Sequence, residues 1–175
     1  LLCVIPFGIV SLFVFDTYIS DIADWHGYAP HDGSFYVEAP GSPRITNLGH
    51  FSHLESFYVY SFVTVPAGTR LEITVETAAH PASMEGCLFN LRALAAQMRL
   101  CNPGRVVYDR PTTEGPLSGR EMRIEQDDGK FFQLRAFYWG KLLYVISTLG
   151  PTADSVKALR FSSSFQPLLP PETIF

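Results

Sequence analysis

His50 and His53, three residues apart with Glu55 close behind, are the best metal-ligand candidates in this 175-residue chain. Imidazoles at that spacing share a face on a helix, but the surrounding residues read as a loop. A zinc site takes four ligands, and no third residue stands at a diagnostic distance. Surface or packing histidines account for the pair with fewer assumptions. Ser162-Ser163-Ser164 presents three hydroxyls. A serine nucleophile needs an activating base, and no G-x-S-x-G elbow surrounds these. A polar helix end between Phe161 and Phe165 fits them better. Asp109, Glu121, Glu125 and Asp127 could do acid–base work only if they converged in a cleft. Glu121, Arg123 and Glu125 instead alternate along one strand face, the pattern of cross-strand ion pairing. Gly115, Gly119 and Gly129 are isolated turn glycines, and no G-x-G-x-x-G or G-K-[ST] loop exists to cradle a phosphate. Cys3, Cys87 and Cys101 lack zinc spacing. Cys87 and Cys101 flank most of a helix; fourteen residues of it span about 21 Å, whereas a disulfide needs Cα atoms within roughly 4.4–6.8 Å. Free, mostly buried thiols are expected. The reactive residues therefore imply no enzyme and no cofactor.

The elements that must carry these residues are mostly strands. Ser34–Ala39 alternates, with Phe35, Val37 and Ala39 opposed to Ser34, Tyr36 and Glu38, and Pro40-Gly41-Ser42-Pro43 ends it. Residues 44–56 read as a loop or weak strand. Phe57–Val65 is rich in aromatic and β-branched residues, and Thr69–Glu76 alternates Leu71, Ile73 and Val75 against Glu72, Thr74 and Glu76. The two form a hairpin around Pro66-Ala67-Gly68. The period then changes. Met84, Cys87, Leu88, Leu91, Leu94, Ala95 and Met98 recur at three and four residues, which predicts a helix over 83–100 capped by Ser83 and stopped by Asn102-Pro103-Gly104. A short strand at Arg105–Asp109 precedes a long loop at 110–117. Three more strands follow, Arg120–Gln126, Lys130–Tyr138 and Lys141–Leu149. Their tight connections force antiparallel neighbours. Pro151 and Thr152 open a second helix to about Phe161, and Phe165–Leu169 is a closing strand or docked tail. Asp154 and Lys157, one turn apart on that helix, form a weak surface pair. Strands with two separated helices and no βαβ repeat predict an α+β fold, an antiparallel sheet flanked by two helices.

Leu1–Phe15 holds no charged residue. A spanning helix needs roughly 20 apolar residues, and continuing through Thr17, Tyr18 and Ile19 brings the segment near that length. The expected anchor is 1–22, with Leu1, Val4, Ile5, Phe7, Leu12, Phe13, Phe15 and Tyr18 as its anchoring residues. Asp16, Asp21 and Asp24 follow it, with no Lys or Arg before Arg44. Cytoplasmic flanks favour Lys and Arg, so the domain is expected on the extracytoplasmic, periplasmic side. Three other readings compete: the core of a cleaved signal peptide, a buried helix, and an acylated start at Cys3. After a linker at 23–33 comes one domain at 34–167, and then an apolar tail at 168–175. The net charge of −4 argues against a nucleic-acid partner. Residues 1–91 carry nine acids against two bases, while 92–141 carry nine bases against six acids. Such asymmetry suits either a docking surface or a solvated mixed face.

Asp32-Gly33-Ser34-Phe35-Tyr36-Val37-Glu38-Ala39-Pro40-Gly41-Ser42-Pro43 resembles the G-x-F-x-V-x-x-P-G-x-P opening of bacterial extracytoplasmic domains of unknown function. Gly119-Arg120-Glu121, then Arg135-Ala136-Phe137 with Leu143-Tyr144-Val145, then Phe161-Ser162-Ser163-Ser164-Phe165 continue the likeness across 32–165. The element order is similar to the PsbP-like fold, an antiparallel sheet flanked by helices. The resemblance implies a non-enzymatic extrinsic subunit of the kind that braces photosynthetic complexes, and it carries no functional residue over. The chain departs from the pattern in its anchor and in its loops at 44–56 and 110–117.

Aromatics crowd the strands around 131–144. One face of a half-buried sheet is core, so Phe132 and Tyr138 are expected to face out as an apolar patch for a protein partner. The tail, with Leu168, Leu169, Pro170, Pro171 and Phe175, is expected to dock on another subunit. The leading expectation is a membrane-anchored, non-catalytic accessory subunit of a larger photosynthetic or respiratory complex. Its partners are that complex's subunits and the lipid bilayer. The alternative is a membrane-tethered ligand-binding or sensory domain, which needs a pocket between sheet and helix.

Overall fold

Alternation of apolar and polar residues makes strands, and ten of them appear with two helices in the computed structural model, which describes residues 25–47, 54–64, 69–78, 84–115, 117–139, 142–151 and 156–168. Strand β1 (Trp25–Tyr28) pairs antiparallel with β2 (Phe35–Pro40), setting Tyr28 opposite Val37. β2 buries Phe35, Val37 and Ala39 completely, as the alternation predicts. β3 (Arg44–Asn47), β4 (Leu54–Thr64) and β5 (Thr69–Ala78) form one antiparallel meander, which includes the expected hairpin. Helix α1 (Met84–Cys101) follows. A second meander runs through β6 (Arg105–Glu114), β7 (Leu117–Glu125), β8 (Phe131–Trp139) and β9 (Leu142–Gly150). Helix α2 (Val156–Ser164) and the short β10 (Gln166–Pro167) close the described chain.

The two meanders join where β9 pairs antiparallel with β5, giving a seven-stranded sheet in the order β3-β4-β5-β9-β8-β7-β6. A small sheet, β1-β2-β10, lies apart from it. The architecture is α+β with antiparallel sheets, as expected.

Both faces of the large sheet are covered, and each cover makes a core. On one side, α2 and the small sheet enclose Phe35, Val37, Tyr60, Phe62, Phe137, Tyr144, Phe161 and Phe165. The rings meet edge to face, for example Phe35 on Tyr60 at 5.0 Å and Phe62 on Phe161 at 5.4 Å. Such geometry sets the positive ring edge on the negative ring face. On the other side, Leu91, Leu94, Ala95 and Met98 of α1 press on Met122, Ile124, Leu134, Ala136, Leu143 and Val145. These four helix positions belong to the stripe of period 3.6 read from the sequence.

Several expectations change. Trp25–Tyr28, placed in the linker, is strand. Of the two readings for 44–56, loop or weak strand, residues 44–47 and the stretch from Leu54 take the strand. The long loop expected at 110–117 is strand as far as Glu114. Pro111 does not prevent this, because β6 is an edge strand and one side of it has no ladder to break. The second helix ends at Ser164, three residues later than expected. Cys101 is a free thiol but exposed, not buried. It ends α1 beside Leu100, itself 84% exposed, where the Asn102-Pro103-Gly104 turn leads the chain away. That stop is as expected: the Asn102 side-chain and backbone amides both donate to the Met98 carbonyl.

Candidate interaction surface

The described serines and the carboxylates Asp109, Glu121 and Glu125 are occupied by structure. The three serines fill the last turn of α2. Ser162, Ser163 and Ser164 each donate their hydroxyl to the carbonyl three residues back, at 3.3, 3.3 and 3.0 Å. Ser164 Oγ also accepts the Glu38 amide at 2.8 Å and so ties α2 to β2. This is the polar helix end that the flanking phenylalanines suggested. His50 and His53 lie outside the described residues, as do Asp154 and the side chains of Glu55 and Lys157. Among the described residues no group of three His, Cys, Asp or Glu side chains is placed to hold a metal ion.

The carboxylates of the second meander are paired rather than poised. Across β6 and β7, Arg110 Nε lies 2.6 Å from Glu121 Oε1, and Arg105 pairs with Glu125. Their partners in register are Arg110 with Glu121 and Arg105 with Glu125, so the alternation Glu121, Arg123, Glu125 does report cross-strand pairing. Asp109 faces the other side of the sheet. Its side chain is 7% exposed and meets both Arg99 from α1 and Arg120 from β7, the latter at 2.6 Å. Sequence reading missed this triad because its three members are set together by a helix crossing, not by spacing. Arg135 donates to the Ser162 carbonyl at 2.9 Å and to Glu114, pinning α2 and β6 to β8.

Guanidiniums also lie over rings: Arg110 over Tyr108 at 5.0 Å, Arg123 over Phe131 at 4.8 Å and Arg135 over Phe137 at 5.2 Å. Burial raises the Tyr108 pKa, and Glu121 adds to that, while Arg123 and Arg110 oppose it. Burial likewise pushes the Tyr60 and Tyr144 phenols well up, helped by the charge of Asp32. The Tyr144 hydroxyl donates to the Ser34 carbonyl at 2.9 Å inside the core. These phenols are structural groups held neutral.

A cleft of 280 Å³ opens at the β6–β7 turn. Glu114, Gly115 and Leu117 form one wall; Trp139, Phe165, Gln166 and Pro167 form the rest. Leu168 follows directly, 49% exposed, with its amide donating to the Ser34 carbonyl at 3.1 Å. Among the described residues it is the one expected partner-facing side chain that stands well exposed.

Phe132 does not. It is 7% exposed and belongs to the core beneath α1. The register sets it beside Ile124 and Leu149, on the face that α1 covers. Tyr138 shares that face and is half-buried against the same core. The expectation that one sheet face would be open fails because a helix lies on each. Leu169 and Phe175 lie outside the described residues, as do Leu1, Val4, Ile5, Phe7, Leu12, Phe13, Phe15 and Tyr18. Among the described residues no helix is long and apolar enough to cross a membrane.

No family model matches the chain, and no curated protein sequence does either. Among solved structures the chain is similar to cyanobacterial PsbP (CyanoP) from Synechocystis sp. PCC 6803. The TM-score is 0.55 at 8% sequence identity, over 88% of this chain and 98% of that one. At so low an identity the likeness is one of fold, and the PsbP-like fold expected from the element order is what it shows. The motif likeness to bacterial extracytoplasmic domains gains no support from these comparisons.

Proposed function

We propose that this chain is a non-catalytic accessory subunit of a membrane complex, photosynthetic in the first instance and respiratory in the second. Its apolar leader holds it to the bilayer and its domain lies on the extracytoplasmic face. The observation that carries this reading is the PsbP-like fold, matched across nearly the whole of a cyanobacterial PsbP. Fold alone is a warrant by association. Serines, carboxylates and buried phenols serve packing, capping and ion pairing. Leu168 and the half-buried Tyr138 are the contact residues we assign to the partner, with Leu169 and Phe175 in the tail beyond. The ligand-binding alternative rests on the cleft beside Trp139. At 280 Å³ it falls just short of the roughly 300–1,000 Å³ of ordinary ligand pockets.

The test uses membranes of the native organism. After an alkaline carbonate wash the full-length chain is expected to remain in the pellet. After mild detergent it is expected to migrate with a large complex on native gels, its partners identified by mass spectrometry. Release by carbonate removes the anchor. Migration as a lone monomer removes the accessory role.

A further inference from the structure

We draw no further inference here: the strongest candidate, the cleft at the β6–β7 turn that Leu117, Trp139, Phe165 and Pro167 line, carries nothing because nothing in the structure shows what covers it.

Discussion

At the scale of single residues, Phe132 separates what alternation tells from what it omits. A period of two says that Phe132, Leu134, Ala136 and Tyr138 share a face, and they do. It does not say whether a helix lies on that face. Phe132→Ala therefore reads the difference. A core phenylalanine costs about 3–5 kcal/mol when truncated, whereas an exposed contact residue changes stability by less than about 0.5 kcal/mol. Urea unfolding is expected to show the large loss for Phe132→Ala and almost none for Leu168→Ser. Gly119, expected in a turn, lies within β7 and supplies a second measure. A Cβ there would meet the Ala136 carbonyl at 2.3 Å and the Phe137 ring at 2.4 Å, so the ring lies where a side chain would stand. Gly119→Ala is expected to lower stability by about 1–3 kcal/mol through overpacking, with the denaturant slope unchanged. Tyr60 and Tyr144 add a pH dependence. Their folded pKa values are raised, chiefly by burial, while in the unfolded chain a tyrosine titrates near 10. The unfolded state thus releases these protons first, and stability falls as pH rises through about 10. Phenolate absorbance is expected to show late protons that appear only with unfolding, one fewer in Tyr144→Phe. Titration of every tyrosine in the folded protein would contradict the burial.

Elements were legible where their patterns were long. The α1 stripe, the β4–β5 hairpin and the three strands β7, β8 and β9 all follow from periodicity and turn residues. What escaped were segments whose structure depends on a neighbour. β1 is only four residues long and is strand because β2 accepts it. β6 carries Pro111, in the 110–117 stretch that read as a loop, and a register shift between Val106 and Tyr108 that no residue pattern announces. On an edge strand these features also have a use, since proline and a bulge deter another strand from adding on. The Asp109 triad is the element-scale contact that fixes α1, because Arg99 sits in its last turn and Asp109 on the edge strand below. Asp109→Asn keeps the shape and removes the charge, leaving Arg120 without its counter-ion near the sheet. The expected loss is about 1–3 kcal/mol, below the cost of breaking a fully buried pair because Arg99 is half exposed. Arg99→Gln alone is expected to cost less than about 1 kcal/mol, as exposed pairs do. Hydrogen exchange is the discriminating readout. Asp109→Asn is expected to speed exchange in the last turns of α1 before it does so in β8 or β9. Uniform acceleration across the sheet would show that the triad holds no particular element.

Over the whole molecule, the order β3-β4-β5-β9-β8-β7-β6 splits the sheet into two meanders, each built from neighbours in sequence and joined only at β5 and β9. The element order was readable; this seam was not, because it pairs strands that the helix and the second meander separate along the chain. The seam also lies under the small sheet and α2, which share one core with it through Phe35, Tyr144 and Phe161. An accessory subunit needs such a core plus a place to hold a partner. Leu168 lies at the end of the described chain, hydrogen-bonded through its backbone to Ser34 and exposed through its side chain. A side chain that the fold itself does not bury can be changed without cost to the fold, so Leu168→Ser isolates the binding role. On the proposed accessory role, the variant in native membranes is expected to accumulate and to resist carbonate like the parent, yet to leave its complex at a lower detergent or salt concentration. Only a minority of interface truncations cost more than about 1 kcal/mol, so a loss of roughly five-fold or more in affinity marks Leu168 as a central contact. Full retention in the complex under every condition that retains the parent would place the contact elsewhere on the domain. Loss from the membrane itself would count against the proposed role of the leader as the tether.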